Sequence, residues 1–173
     1  MDERRWRYDG LVTPILNDLY RFALRLERDA VRADDLLQQG LLVGLKNFDQ
    51  LADDRAFRVW INRIVYRSFL NNRKKRVEEP MGDNVVQLAR PNSDPDSRLA
   101  RRQLGSDLAD ALDKLPEDQR EAVWLIDGQG FKYAEAATIL DCAPGTVASR
   151  VARGRIQLRR DLRHVAREQG VIQ

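Results

Sequence analysis

Two groups of side chains in this sequence have types and spacings that could do chemistry, and both suit the recognition of polyanions. In the first, Thr146, Ser149, Arg150, Arg153 and Arg155 lie within PGTVASRVARGR at 144–155. Guanidinium groups can hold a phosphate or a guanine edge through paired N–H donors, and hydroxyls can donate or accept. In the second, Arg63, Arg67, Asn71, Arg73 and Lys74 lie within NRIVYRSFLNNRKKR at 62–76, with Lys75 and Arg76 closing the run. Cations at this density suit the phosphates of a nucleic acid. The plain alternative for the first group is a solvated helix face, which is what most charge runs are.

Nucleophilic and metal chemistry find little support. Cys142 is the only cysteine and His164 the only histidine, so a Cys/His zinc cluster, a disulfide framework and a Cys/His catalytic pair are all disfavoured. The reading is therefore of a non-enzyme, with no catalytic residue, no cofactor and no metal. Cys142 reads as a small, inert, partly buried residue and His164 as a solvated one. The net charge of +3 hides a local asymmetry, because acids gather at 29–35, 94–96 and 107–121 while the two runs above are basic. No apolar stretch approaches the ~20 residues that cross a bilayer, and none follows the charged start, so a cytoplasmic protein without membrane insertion is expected.

Helices must position these side chains. GFKYAEAATILDCAPGTVASRVARGR at 130–155 reads as two short helices about a tight turn at Asp141–Gly145. Ala136, Ala137, Ile139 and Leu140 form one apolar face, and Val147 and Val151 the other. Pro144 suits the first turn of the second helix, where the free N–H groups of Gly145 and Thr146 could meet a phosphate. Upstream, apolar residues recur at helical spacing from Leu11 to Leu26, from Leu36 to Phe48, and from about Ala56 to Arg76, the last with Trp60 in its core. ADDLLQQ at 33–39 sets Asp34, Asp35, Gln38 and Gln39 on a polar flank and turns Leu36, Leu37 and Leu41 inward.

Between Val77 and Ser97 prolines and glycine break the pattern, which predicts a flexible tether. Periodicity resumes through Leu99, Leu104, Leu108, Ala111, Leu112 and Leu115, and Pro116 opens a further helix. No alternating strand pattern occurs. The fold expected is all-α, with two small helical domains at 1–77 and 99–173 joined by a flexible linker at 78–98.

LPEDQREAVWL at 115–125, followed by the helix-turn-helix, resembles region 4 of bacterial extracytoplasmic-function (ECF, group 4) sigma factors. ADDLLQQ followed by AFRVWINRIVYRSF at 56–69 is similar to region 2 of the same family. The resemblance implies a transcription initiation factor. Asp35, Leu36, Gln38 and Gln39 would anchor it to the β′ clamp helices of core RNA polymerase, whose β subunit is a further expected partner. Arg63, Arg67, Asn71, Arg73 and Lys74, with the preceding loop Phe48–Arg55, would recognise and melt the −10 element of promoter DNA and hold the displaced strand, where Asn62, Asn71 or Asn72 could supply an amide to a base. Thr146, Ser149, Arg150, Arg153 and Arg155 would read the −35 element. The acidic tether would run near the polymerase active centre, and an anti-sigma factor is expected as inhibitor.

The chain departs from the family pattern at four places. Gln39 stands where an acid is frequent, Arg67 where Asn is usual, Lys132 where a Ser or Thr cap is common, and Ala148 where a basic residue is frequent. Glu135 nevertheless keeps its capping-box position. A sigma-like decoy that binds an anti-sigma factor without starting transcription is the alternative, and a dimeric repressor built on the helix-turn-helix is a third reading.

Overall fold

In this computed structural model the described residues are 3–78 and 99–168, all in helices or their connections, with no strand among them. They form two compact units. The first contains α1 (Glu3–Val12), α2 (Leu16–Glu27), α3 (Ala30–Lys46) and α4 (Phe57–Glu78). The second contains α5 (Leu99–Lys114), α6 (Glu117–Val123), the greater part of α7 (Tyr133–Leu140) and α8 (Pro144–Glu168). Apart from Glu78, the expected linker lies outside the described residues, as do the side chains of Leu104 and His164.

The core of the first unit is built where α2, α3 and α4 pack on one another. Leu19, Phe22 and Ala23 of α2, Ala33 and Leu36 of α3, and Ile61 and Val65 of α4 are all buried. α3 approaches α4 closely because Gly40 has no side chain: a Cβ there would stand 2.7 Å from Val65 Cγ2. At Gly44 a Cβ would meet the Tyr8 hydroxyl and Ile61 Cδ1, each at 2.6 Å. Tyr8 donates its hydroxyl to Leu41 O at 2.7 Å and meets Phe48 edge-on, with centroids 5.2 Å apart. α2 turns into α3 through Arg28, whose φ of 57° is left-handed, and Asp29, whose carboxylate accepts from Arg32 N at 2.8 Å.

The expectation of one helix from Leu11 to Leu26 needs correction. Pro14 lacks an amide hydrogen, and the chain passes through a 3-10 turn at Thr13–Ile15 before α2 begins. Nor does the periodic pattern reveal that helix begins as early as Glu3. The charged α1 is pinned instead by arginines: Arg4 Nη2 donates to Leu45 O at 2.7 Å, and Arg7 Nε donates to Asp54 Oδ2 at 3.2 Å.

In the second unit α8 packs on α5 and α6, and Ala111, Leu112, Leu115, Val123 and Leu158 close a shared core. A Cβ on Gly154 would come 2.7 Å from Val123 Cγ2, so glycine permits the close crossing of α8 over α6. Pro116 caps α6 from just outside, at ψ 142°, rather than forming its first turn. After α6 the backbone widens at Trp124–Gly128 into a π-helical turn. The second helix of the helix-turn-helix is not short: α8 runs for 25 residues, because Leu158 and Leu162 prolong its apolar stripe against α5. Leu108, expected inside, is exposed.

Candidate nucleic-acid and polymerase interfaces

The helix-turn-helix is capped by its own backbone and side chains. Lys132 N–H donates to Glu135 Oε2 at 2.8 Å, so half of a capping box survives without a Ser or Thr. Asp141 ends α7 with φ 53°, and Thr146 N–H donates to Ala143 O at 2.9 Å. That bond corrects the expectation that the Thr146 amide is free for a phosphate.

α8 buries Val147, Val151, Gly154 and Leu158, which leaves Ala148, Ser149, Ala152, Arg153, Ile156 and Arg160 exposed on other sides. The five sequence-predicted residues here divide. Arg153 is exposed and has no ion pair among the described residues. Ser149 is exposed and donates its hydroxyl to Thr146 O at 2.9 Å, leaving its lone pairs outward. Thr146 is half-buried. Arg150 is turned back onto its own unit, with Nε 3.2 Å from Asp118 Oδ2 and Nη1 3.8 Å from Cys142 Sγ. Arg155 grips Asp127 with two bonds, Nε to Oδ2 at 2.9 Å and Nη2 to Oδ1 at 2.6 Å. That hydrogen-bonded carboxylate raises the Arg155 guanidinium pKa further above its ordinary value.

On α4, Arg63, Arg67, Asn71 and Lys74 follow one another at spacings of three and four residues, and so share a strip. Arg67, Asn71 and Lys74 are exposed and Arg63 is half-buried. Arg73 is also exposed, on another flank by helical spacing. Of the three amides considered for base contact, Asn62 is only 2% exposed and donates Nδ2 to Arg58 O at 2.8 Å. Asn72 donates Nδ2 to Gln39 Oε1 at 2.7 Å, across to α3. Asn71 is the exposed one. Arg76, grouped by sequence with the phosphate partners, instead brackets Glu27 at 2.9 and 2.6 Å. Trp60 is half-buried beside Phe57, with centroids 5.9 Å apart, rather than sealed in the core.

The loop before α4 folds into 3-10 turns at Phe48–Gln50 and Asp54–Ala56. Its acids are held by arginines: Asp49 by Arg4, Asp53 by Arg55, and Asp54 by Arg7. The hydrogen bond from Arg55 keeps the Asp53 carboxyl below its ordinary pKa.

On α3 the residues of the anchoring set implied by resemblance differ in exposure. Leu36 is 1% exposed and packs in the core of the first unit. Asp35 and Gln38 are exposed, while Gln39 is half-buried and bonded to Asn72. Two apolar residues accompany the exposed pair, Val31 at 70% and Leu42 at 68%. Val31, Asp35, Gln38 and Leu42 are spaced by four, three and four residues and so line one helix face. Sequence reasoning missed Val31 and Leu42, although both fall out of register with the buried residues of α3. Among the described residues no cluster of His, Cys, Asp or Glu could hold a metal ion, and no helix is long and apolar enough to cross a membrane.

The family described as Sigma-70 region 2 matches residues 11–78, and that described as Sigma-70, region 4 matches residues 106–158. The ECF RNA polymerase sigma factor EcfG of Rhodopseudomonas palustris is 40% identical over 143 residues, covering 81% of this chain and 76% of that protein. The ECF RNA polymerase sigma factor SigM of Mycobacterium tuberculosis is 31% identical over 158 residues, covering 90% and 77%. Among solved structures, the sigma factor RpoE in complex with the anti-sigma factor NepR from Bartonella quintana superposes with a TM-score of 0.74 at 28% identity. The match covers 91% of this chain and 97% of that one.

Proposed function

The chain belongs to the family of ECF RNA polymerase sigma factors, and from that membership we propose that it binds core RNA polymerase and directs promoter-specific initiation of transcription. The observation that carries the reading is the succession, in one chain, of a region 2 match and a region 4 match. Sigma factors select promoters and are regulators of transcription; in this reading the chain supplies recognition and leaves catalysis to the polymerase, in the cytoplasm. The domains are 1–77 for polymerase binding and the −10 element, 78–98 as linker, and 99–173 for the −35 element.

Within that scheme the exposed face Val31, Asp35, Gln38 and Leu42 of α3 meets the β′ clamp helices, with Gln39 held ready by Asn72. Arg63, Arg67, Asn71, Arg73 and Lys74 of α4 engage the −10 strand, mostly through phosphate. Thr146, Ser149 and Arg153 face the −35 groove, while Arg150 and Arg155, each paired to a carboxylate, brace the helix that carries them. Two modest affinities joined by a tether reinforce each other through effective concentration. An anti-sigma factor, the class of partner seen with RpoE of Bartonella quintana, holds the protein inactive.

Run-off transcription with purified core polymerase on candidate promoters, at fixed salt, tests the reading. Specific transcripts that require this chain are expected. Failure to bind core polymerase would end it.

A further inference from the structure

The loop that leads into α4 has little apolar anchorage of its own. Between Asn47 and Ala56 only Phe48 is buried; Asn47 and Leu51 are half-buried, and Asp49, Gln50 and residues 52–56 are exposed. Much of what holds it comes from α1. Tyr8, 4% exposed, fixes the rotation of that helix by donating to Leu41 O at 2.7 Å. Arg4 and Arg7, about one turn apart, then reach the two ends of the loop. Arg4 Nη2 donates to Leu45 O at 2.7 Å and to Lys46 O at 3.2 Å, and its Nε lies 2.9 Å from Asp49 Oδ1. Arg7 forks onto Asp54, Nε to Oδ2 at 3.2 Å and Nη2 to Oδ1, and its guanidinium carbon sits 5.2 Å from the centre of the Phe48 ring.

Entry and exit are thereby fixed to one helix, and Gln50, Ala52 and Asp53 stand exposed between them. A fork of two parallel N–H donors sets an angle as well as a distance, which a lone ammonium does not. An exposed pair of this kind adds little to global stability, so its worth lies in the shape of the loop. The match to region 2 begins at residue 11, and both arginines lie outside it. We propose that Arg4 and Arg7 are positioning residues for promoter recognition, setting the stance of residues 50–53 and through it the base preference at the −10 element. The inference rests on the −10 engagement proposed for the first unit, to which this loop belongs. Neither arginine touches a base in this scheme; each acts through the loop.

The test uses holoenzyme assembled from core RNA polymerase and the full chain. A promoter library randomised at the −10 element gives the preferred sequence, and competition between it and its single-base variants gives a discrimination ratio. Because both templates meet the same preparation, the ratio is independent of the folded fraction. Arg7→Ala and Asp54→Ala should each lower it at one or two positions by about three- to fivefold, the reach of an exposed ion pair, and the double variant no further. Arg4→Ala should lower it as well. Melting temperatures should stay within about a degree or two of wild type. Charge alone acts differently: losing Arg7 would weaken binding to every sequence, losing Asp54 would strengthen it, and the ratio would stand. That opposite pair of shifts, or an unchanged ratio in both single variants, overturns the positioning role while −10 recognition stands. A wild-type holoenzyme without −10 preference removes that recognition itself.

Discussion

Arg76, the last cation of α4's basic run, closes both guanidinium arms on Glu27 at 2.9 and 2.6 Å. The Glu27 side chain is 2% exposed, and Arg32 of α3 adds a third contact at 3.5 Å. One buried carboxylate thus ties the last turn of α2 to the first of α3 and the last of α4. The hydrogen bond to Glu27 raises the Arg76 pKa in turn. Because Arg76 is half-exposed, solvent screens the pair, and its loss costs less than the several kcal/mol of a fully buried one. We expect Arg76→Ala to lower stability by about 2 kcal/mol, with Glu27→Gln milder because it leaves no unpaired buried charge. Urea unfolding of the two variants measures both.

The outward face of α3 separates docking from folding. Leu42→Glu should leave the melting temperature within a degree or two of wild type, roughly the effect of a surface change, yet weaken core-polymerase binding by about tenfold or more. Leu36→Ala should do the reverse, unfolding the first unit by about 2–5 kcal/mol. Calorimetry and a polymerase pull-down on the same preparations decide the matter, and equal loss of binding without loss of stability in Leu36→Ala would return Leu36 to the interface.

Tyr8 gives the first unit an alkaline limit. Burial pushes its phenol up to about 12, with the charge of Asp9 adding to the shift. The folded pKa lies above the ordinary value of 10, so the folded state holds this proton more tightly. The associated stability is complete below the ordinary value and is lost as pH rises from there through the folded value. Urea midpoints should therefore fall more steeply over that range for wild type than for Tyr8→Phe. At neutral pH the Phe variant is expected to be about 1 kcal/mol less stable, having lost the bond to Leu41 O.

Glycines in the helices are not equivalent. At Gly40 a Cβ would press on Val65 Cγ2 at 2.7 Å, with the Val65 Cα behind it at 3.4 Å, whereas at Gly10 nothing lies within 4 Å. Gly40→Ala should destabilise by about 1–3 kcal/mol through overpacking. Gly10→Ala should stabilise by several tenths up to about 1 kcal/mol through helix propensity. Thermal melts that rank the two the other way would contradict the packing described for α3 and α4.

Arg150 and Arg153 are neighbours in sequence with different expected roles. Arg153→Ala should cost about 1–3 kcal/mol in promoter binding with little change in stability. Arg150→Ala and Asp118→Ala should each cost less than about 1 kcal/mol of stability, and the double variant no more than either single one. Fluorescence anisotropy on −35 duplexes, beside melting curves, separates the pair.

Much of this architecture was legible because burial writes a periodic signature. The apolar stripes of α2, α3 and α4 are visible in sequence, and so are the two helices about Asp141–Gly145. Long-range pairing writes no such signature. Arg76 lies 49 residues from Glu27 and Arg155 lies 28 from Asp127, and nothing in a run of arginines says which of them will find a carboxylate. The start of α1 was hidden for the same reason, since Arg4 secures it on backbone carbonyls rather than through an apolar stripe. Leu36 illustrates the opposite case. Its spacing with Leu37 and Leu41 pointed inward, and its burial follows that local pattern.

The length of α8 has a mechanical consequence. A continuous helix of 25 residues is a rod of roughly 37 Å, and the same rod presents Arg153 to solvent and seats Leu158 against α5. No hinge interrupts it between those positions. Any load taken up at its first turns is delivered as rigid-body torque to the seam with α5, so amides in α5, far from the groove, are the place where promoter engagement registers as slowed hydrogen exchange.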